Sequence, residues 1–242
     1  MNIPNTYYGN ANPSLLEVVS PHAQRICEFG CGAGALARAI KQKLGEVHYT
    51  GVELMTEQIA LARDVLDVGL VKDLNRISDW HEDSEMSEAL GMEQFDHVIF
   101  GDVLEHLYDP ARVLKQATAC LKYGGTALVC MPNVQHWSVL AQLIQGHWPQ
   151  TDSGIFDRTH LRWFALKDMV ALMGSAGLQV KQVIPRVFNP EKAHDFLEAL
   201  APAATLLGVP TKALRQLSLP LQYVLVAEKP ALTQAASSGL NQ

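Results

Sequence analysis

Two kinds of hydrophobic pattern alternate along the first half of the chain. Short apolar runs, such as Val-Ile-Phe at 98–100, are typical of strands that are buried on both faces of a sheet. Between them lie longer segments in which apolar residues recur every three or four positions, as in amphipathic helices. We predict strands at 25–29, 47–52, 69–72, 95–100 and 126–131, and helices at 34–44, 56–67, 84–90 and 110–121. This alternation predicts an α/β domain with a doubly wound, mostly parallel sheet.

The pattern changes after Pro132. Two stretches, 133–165 and 186–220, are too long to be simple connections. We expect helical lid insertions there, because long loops in compact domains are usually functional. The other elements are predicted as helices at 167–176, 190–200 and 211–217 and strands at 178–184 and 221–228. We assign residues 1–230 to one domain and expect the Ala/Ser/Gln-rich segment 231–242 to be a disordered tail.

A glycine-rich turn joins the first predicted strand to the first helix. Residues 28–36 read EFGCGAGAL, with Cys31 between Gly30 and Gly32, and with Gly34 before the helix. Glycine lets the backbone turn sharply, and it lets a ligand approach where a Cβ atom would collide. The N-terminus of the following helix offers unpaired N–H groups to electron-rich ligand atoms. These features predict a cofactor site at the turn.

Three interpretations of this turn differ in the ligand. The first is a tight strand–helix turn that binds nothing. The second is a dinucleotide site, because Gly30, Gly32 and Ala35 satisfy the G-x-G-x-x-(G/A) pattern. Glu28 argues against it, because a carboxylate would repel a pyrophosphate but could hydrogen-bond the cationic amino group of S-adenosylmethionine (SAM). The charge of the ligand therefore favours the third interpretation, a SAM site.

Acidic residues after the next two strands extend the predicted cofactor site. Glu53 ends the second strand and is followed by Leu54. Its two oxygens can accept hydrogen bonds from both hydroxyls of a ribose, a group that SAM and dinucleotides share. Asp73 follows the third strand and is a candidate to meet the amino group of adenine.

The fourth predicted strand runs into Asp102, Val103 and Glu105. Open α/β sheets bind ligands at the carboxyl ends of such strands, so we expect these residues to line the pocket near the methionine part of SAM. The alternative is that they are polar residues that simply end a buried strand.

Four segments together resemble the successive motifs of class I SAM-dependent methyltransferases. They are EFGCGAG, GVE, FDHVIFGDVLEHL and LKYGGTALVCMPN, in order over residues 22–133. Residues 154–164, GIFDRTHLRWF, are similar to a segment of one branch, which contains methyltransferases of ubiquinone and methionine pathways and others associated with surface polysaccharides. The resemblance implies a SAM cofactor and a Rossmann-like seven-stranded sheet whose last strand, 221–228, is antiparallel. Tyr123 departs from the pattern, because family members often have proline there.

Methyl transfer to a hydroxyl needs a group that accepts its proton, and histidine can do so near neutral pH. Our candidate is His160, in the loop expected over the pocket. Asp157 is a candidate to orient its ring, and Arg162 to hold an anionic acceptor or a structural carboxylate. A purely structural Asp–His–Arg network that fixes the loop is the alternative. His106, expected mainly as a wall of the SAM pocket, and His136 are further candidates.

Composition narrows the range of partners. The chain has 242 residues, with 19 Lys and Arg against 25 Asp and Glu and no basic run, which disfavours general nucleic-acid binding. Its four cysteines show no CxxC pair, and no metal-ligand motif is present, so we predict no metal and reduced thiols in the cytoplasm. No apolar stretch reaches the roughly 18 residues that a membrane span requires.

The sequence thus predicts an enzyme that transfers a methyl group from SAM to an oxygen or nitrogen of a small-molecule or carrier-linked acceptor. It lacks the Asn/Asp-Pro-Pro-Tyr/Phe segment of amino-directed DNA methyltransferases. Two alternatives stay open: an NAD(P)-dependent oxidoreductase that uses the same glycine loop, and a catalytically inactive methyltransferase-like binding protein. The oligomeric state is not predicted.

Overall fold

One seven-stranded sheet is the framework of the computed structural model, which describes residues 11–231. The strands are β1 (Arg25–Phe29), β2 (His48–Glu53), β3 (Val68–Val71), β4 (Phe95–Gly101), β5 (Leu121–Pro132), β6 (Gln179–Val187) and β7 (Pro220–Glu228). Their order across the sheet is β3-β2-β1-β4-β5-β7-β6. Neighbours from β3 to β5 are parallel, and β7 runs antiparallel to both β5 and β6. The predicted Rossmann-like sheet with an antiparallel last strand is confirmed.

Helices cover both faces of this sheet. They are α1 (Pro13–Val18), α2 (Ala35–Leu44), α3 (Thr56–Ala62), α4 (Ser84–Ala89), α5 (Pro110–Cys120), α6 (Trp137–Ile144), α7 (Leu166–Ser175), α8 (His194–Leu206) and α9 (Thr211–Ser218). On one face, Leu15 of α1 and Ile40 of α2 pack with Tyr49 of the sheet. On the other face, Leu114 of α5 and Met169 of α7 belong to a second buried cluster. Burying each such side chain is worth roughly 1.5–3 kcal/mol, so both layers stabilise the sheet.

Local signals explain where most elements begin and end. β1 occupies its predicted range. α5 begins at its predicted first residue, Pro110, where the carboxylate of the preceding Asp109 accepts a hydrogen bond from the Arg112 N–H at 2.9 Å. The predicted end of the helix 56–67 is wrong, because α3 stops at Ala62. Asp67 is held against β2 by the Tyr49 N–H at 2.7 Å, so the chain must leave the helix before that residue.

Two strands are longer than predicted. β5 begins at Leu121, which pairs with Phe95 of β4, rather than at residue 126. β6 continues to Val187, beyond the predicted end at 184, because β7 pairs with it as far as Pro220. Arg186 therefore lies on the sheet rather than in the second predicted insertion, 186–220.

Both predicted insertions contain helices, and these helices pack against each other. The first contains α6, whose position within 133–165 was not predicted. The second contains a 3-10 helix (Pro190–Ala193) that runs into α8, and then α9. Leu197 of α8 and Leu214 of α9 share a buried cluster with Trp137 of α6 at its edge. The Trp137 ring lies 6.3 Å from that of Phe196, so the two insertions form one layer.

Within residues 11–231, no helix is long and apolar enough to cross a bilayer. The longest, α8, has 13 residues, whereas a span needs about 20. The predicted tail at 231–242 lies outside the described residues, apart from residue 231.

Asn133, at the end of β5, ties the second insertion to the sheet. Its side chain is fully buried and its Nδ2 donates to the carbonyls of Leu217 and Pro220, both at 2.8 Å. Its Oδ1 accepts from the Gln135 N–H at 3.0 Å. All of its polar atoms are thus used to join α9, β7 and the start of the first insertion.

We expect Asn133→Ala to lower the free energy of unfolding by roughly 2–4 kcal/mol, because it leaves two buried carbonyls without donors. Urea unfolding followed by circular dichroism measures this change. Gln182→Ala, at an exposed position on β6, is the control and should change the free energy of unfolding by less than about 0.5 kcal/mol. Equal effects from the two variants would contradict the role given to Asn133.

Candidate functional site

The central strands deliver acidic residues to one edge of the sheet. β1 lies between β2 and β4, and the three strands are parallel, so their carboxyl ends meet. Glu28 lies one residue before the end of β1, Glu53 ends β2, and Asp102 follows β4. This is the point where the strand order reverses direction, and open α/β sheets bind ligands there.

The glycine loop between β1 and α2 has the backbone geometry that requires glycine. Gly30, Gly32 and Gly34 have φ values of +72°, +50° and +76°. A Cβ atom on Gly30 would lie 2.4 Å from Cγ2 of Val103, and one on Gly34 would lie 2.7 Å from Cγ2 of Val65. The loop is therefore packed closely against the segment after β4 and the segment after α3, and both positions exclude a side chain.

The side chain of Cys31 points into the protein. It is 5% exposed, and a Cβ atom on Gly51 would lie 2.7 Å from its Sγ. Burial also raises the pKa of the Cys31 thiol. Cys31 can therefore face a ligand through its backbone, while Gly51, which the sequence reasoning missed, makes room for its sulfur.

Glu53 is held by backbone N–H groups. Its Oε2 accepts from Gly32 at 2.9 Å, and its Oε1 accepts from Leu54 and Met55 at 2.8 and 3.2 Å. Oε1 thus uses both of its lone pairs, whereas Oε2 keeps one for a further donor. The Leu54 side chain beside it is 61% exposed, which leaves an apolar surface next to this carboxylate.

Glu28, the acid that precedes the glycine loop on β1, is buried. It is 5% exposed, and its Oε2 accepts a hydrogen bond from the hydroxyl of Tyr49 at 2.8 Å. Burial raises the pKa of Glu28 to about 7; the Tyr49 hydrogen bond opposes this rise, and the nearby Glu53 adds to it. A cation placed beside this carboxyl would favour its charged form, whereas an anion would not.

Asp102 is held in an unusual conformation after β4. Its φ is +57°, and its N–H donates to the carbonyl of Cys130 at 3.1 Å. Nε2 of Gln222, on β7, donates to its Oδ1 at 2.6 Å. Burial raises the pKa of Asp102 to about 6, against the opposing influence of Arg186 and Gln222.

A short 3-10 helix (Leu104–His106) follows, and Glu105 within it is completely buried. Neither of its carboxyl oxygens has a hydrogen-bond partner, and burial raises its pKa well above the usual range, with Asp102 adding to the effect. Nε2 of His160 lies 3.9 Å from its Oε1, and the rings of His106 and His160 meet edge to face. Ligand-type atoms of these three residues lie within 4.8 Å of one another, so this cluster, which no sequence motif indicated, has the composition to share a proton or hold a cation.

The loop at 154–164 docks on this 3-10 helix, but its hydrogen bonds differ from those expected. The Asp157 carboxylate accepts from the N–H (2.8 Å) and the hydroxyl (2.7 Å) of Thr159 rather than from the ring of His160. Nδ1 of His160 instead bonds to the carbonyl of Ile155 at 3.1 Å. Arg162 donates to the backbone carbonyl of Tyr108 at 2.7 Å.

Thr159 connects this loop to His106. Its hydroxyl and its carbonyl lie 3.1 and 3.2 Å from Nδ1 of His106. Since the hydroxyl donates to Asp157, its oxygen is left as an acceptor, so Nδ1 of His106 carries the proton and Nε2 has the free lone pair. Burial lowers the pKa values of both His106 and His160, which favours their neutral forms.

The two remaining candidates lie further from this cluster. Asp73, two residues after β3, accepts from the Asn75 N–H at 3.0 Å and pairs with the exposed Arg76. The backbone N–H of the preceding Lys72 donates to the carbonyl of Glu53, which keeps Asp73 close to the end of β2. His136 is the N-cap of α6, and burial lowers its pKa to about 4.

Comparison with known proteins gives consistent results. A family profile described as a methyltransferase domain matches residues 9–183. The ubiquinone biosynthesis O-methyltransferase of Stutzerimonas stutzeri (strain A1501) is 27% identical over 184 residues, which are 76% of this chain and 76% of that protein.

Solved structures share the fold at lower identity. The S-adenosylmethionine-dependent methyltransferase from Mesorhizobium loti is 17% identical with a TM-score of 0.58, covering 89% of this chain and 96% of that one. A chain of a Haloferax volcanii complex between a methyltransferase and a methyltransferase activator is 18% identical with a TM-score of 0.58, covering 90% and 88%. At these identities the likeness is one of fold.

The raised pKa of Glu28 predicts a pH-dependent effect of Glu28→Gln on the ligand-free protein. Between the ordinary value of 4.5 and about 7, the folded state keeps a proton that the unfolded state has released, so the parent loses stability as pH rises through this window. The free energy of unfolding of the variant relative to the parent should therefore increase by on the order of 1–3 kcal/mol between pH 4.5 and pH 8.

Chemical unfolding at several pH values measures this difference. Glu17→Gln, at an exposed position of α1, is the matched control and should show no such trend. A difference that stays constant with pH would show that Glu28 titrates as an ordinary exposed acid.

Proposed function

This chain belongs to the methyltransferase-domain family, and we propose that it transfers the methyl group of SAM to an oxygen or nitrogen of a small-molecule or carrier-linked acceptor. The family match, the named relative and the fold together show a SAM-dependent methyltransferase. The acceptor is the part that we infer. The name of the Stutzerimonas relative, an O-methyltransferase, supports oxygen as the atom that is methylated.

The residues at the sheet edge fit SAM, which supplies an electrophilic methyl carbon on a sulfonium centre when bound. We assign Glu53 to the ribose hydroxyls, because its oxygens are fixed by backbone donors and Oε2 keeps a free lone pair. We assign Leu54 and Asp73 to the adenine, and the backbone of Gly30, Cys31, Gly32 and Gly34 to close approach of the cofactor. Asp102, Val103 and Glu105 are assigned to its methionine part.

Glu28 carries the choice of cofactor. Its carboxyl is buried, has one hydroxyl partner and lies beside a second acid, so a pyrophosphate there would add a third negative group. The amino group of SAM would instead provide the positive charge that this carboxyl lacks. This single electrostatic match favours SAM over a nicotinamide dinucleotide.

The hydrogen bonds of the loop favour His106 over His160 as the proton acceptor. Nδ1 of His106 is anchored by Thr159, which is anchored in turn by Asp157, and Nε2 is free on a side chain that is only partly buried. His160 is 7% exposed, and its Nε2 faces the carboxyl of Glu105. We assign to His160 and Arg162 the role of fixing this loop, and to the two insertions that of covering the acceptor.

The net charge and the cysteines of the chain favour a small acceptor and a reducing compartment. The net charge of −6 and the absence of a basic run do not favour a nucleic-acid substrate. All four cysteines are buried free thiols, which is consistent with a cytoplasmic enzyme.

We expect titration calorimetry to show binding of SAM and S-adenosylhomocysteine and none of NAD(H). Glu28→Gln and Gly32→Val should each weaken SAM binding at least tenfold, or about 1.4 kcal/mol. The first removes the countercharge, and the second places a branched side chain at a positive φ. Glu17→Gln should bind SAM like the parent. Tight NAD binding without SAM binding would overturn the proposal.

We expect His106→Gln to lower turnover by about 10²–10⁴-fold while SAM affinity stays within about twofold, because a general base contributes to the chemical step and not to cofactor binding. Turnover is measured by mass spectrometry as transfer of an isotopically labelled methyl group to acceptors in cell extract. Thr159→Val should give a smaller loss. The opposite result, with His160→Gln inactive and His106→Gln active, would return the role of base to His160.

A further inference from the structure

A hydrogen-bonded line of three side chains runs from the edge strand of the sheet to the residue that follows β4. Arg186 on β6 donates from its Nη1 to Oε1 of Gln222 on β7, at 2.5 Å. Nε2 of Gln222 donates to Oδ1 of Asp102 at 2.6 Å. The sheet register creates this line, because Gln222 pairs with Arg186 on one side and with Pro132, at the end of β5, on the other.

Arg186 fixes the direction of the amide of Gln222. A guanidinium can only donate, so it must face the carbonyl oxygen of the amide. The NH₂ group then points the other way, at the Asp102 carboxylate. A flipped amide would place its NH₂ group against the guanidinium, which is also a donor, and its oxygen against the carboxylate, which is also an acceptor. The Asp102 backbone, at φ +57°, cannot relax freely away from this contact.

We propose that Gln222, oriented by Arg186, is a positioning residue that holds Asp102 as an anion facing the cationic amino group of SAM. This inference rests on the role proposed above for Asp102. It assigns a cofactor-binding task to the last strand and the edge strand of the sheet, whose sequence carries no cofactor motif.

The charges around Asp102 make the proposal testable through pH. The groups that face it are Arg186 from β6, the Cys130 thiol from β5 and Glu105 from the 3-10 helix, besides Gln222 itself. Burial raises the pKa of Asp102 to about 6, and the Gln222 hydrogen bond is one of the interactions that restrain the rise. Loss of this donor should therefore raise the pKa by about one further unit, since hydrogen bonds to charged groups are the stronger ones.

The experiment measures binding of S-adenosylhomocysteine, which has the same amino and carboxylate groups as SAM and is not consumed, by calorimetry from pH 5.5 to pH 8. Gln222→Leu should bind about fivefold more weakly than the parent at pH 6 and within about twofold of it at pH 8, because fewer Asp102 side chains are ionised at the lower pH. A defect of folding or packing would weaken binding equally at both pH values. Gln182→Leu, at an exposed position of β6, is the control and should bind like the parent.

A double-mutant cycle separates this inference from the proposed site. Asp102→Asn keeps a residue type that tolerates positive φ, and it should weaken binding at both pH values. Adding Gln222→Leu to Asp102→Asn should then have no further effect, because the two act as a unit. Unchanged binding in Asp102→Asn would remove Asp102 from the SAM site. A weakened Asp102→Asn together with a parent-like or pH-independent Gln222→Leu would overturn the positioning role alone.

Discussion

Burial of carboxyl groups at one edge of the sheet is the constraint on which the site depends. Glu28, Glu53, Asp102 and Glu105 are all brought there by the parallel arrangement of β1, β2 and β4. Removing a carboxylate from water favours its neutral form, and each further acid nearby strengthens the effect. The ligand-free protein therefore retains protons on these carboxyl groups, and a cationic ligand would favour their charged forms. SAM combines such a positive charge with hydroxyls that accept and donate hydrogen bonds.

The protein satisfies each acid differently. Three backbone N–H groups hold Glu53, one tyrosine hydroxyl holds Glu28, and one amide holds Asp102. The carboxyl oxygens of Glu105 have no hydrogen-bond partner among the described residues. Glu53 is thus fully anchored in the ligand-free protein, whereas the carboxyl oxygens of Glu105 are not hydrogen-bonded. In the site that we propose, the ribose side is therefore preorganised, whereas the side of the reacting centre has unpaired carboxyl oxygens.

The side of the site that we propose for the acceptor is built from loops rather than from strands. The segment 154–164 is held by two N–H groups that donate to the backbone carbonyl of Glu105, at 2.8 and 3.0 Å. The same contact brings Thr159 to His106 and connects the loop at 154–164 to the acids at the sheet edge. A change of protonation or position at Glu105 would therefore affect both the loop at 154–164 and the acids at the sheet edge.

The sequence alone determined the fold class, most of the strands and the glycine-rich turn after the first strand. Buried strands read as continuous apolar runs, and the positive φ values at Gly30 and Gly34 require a residue without a side chain, so both features are local. The acids Glu28 and Glu53 could be found in the same way, because their positions relative to the strands place them at the sheet edge. The environments of these acids were decided only by the tertiary structure. Gln222 meets Asp102 across 120 residues and Thr159 meets His106 across 53, and no periodic pattern encodes such pairs. They arise from strand register and loop docking, which depend on how the whole sheet packs, so the partners that set charge and tautomer became visible only in the folded chain.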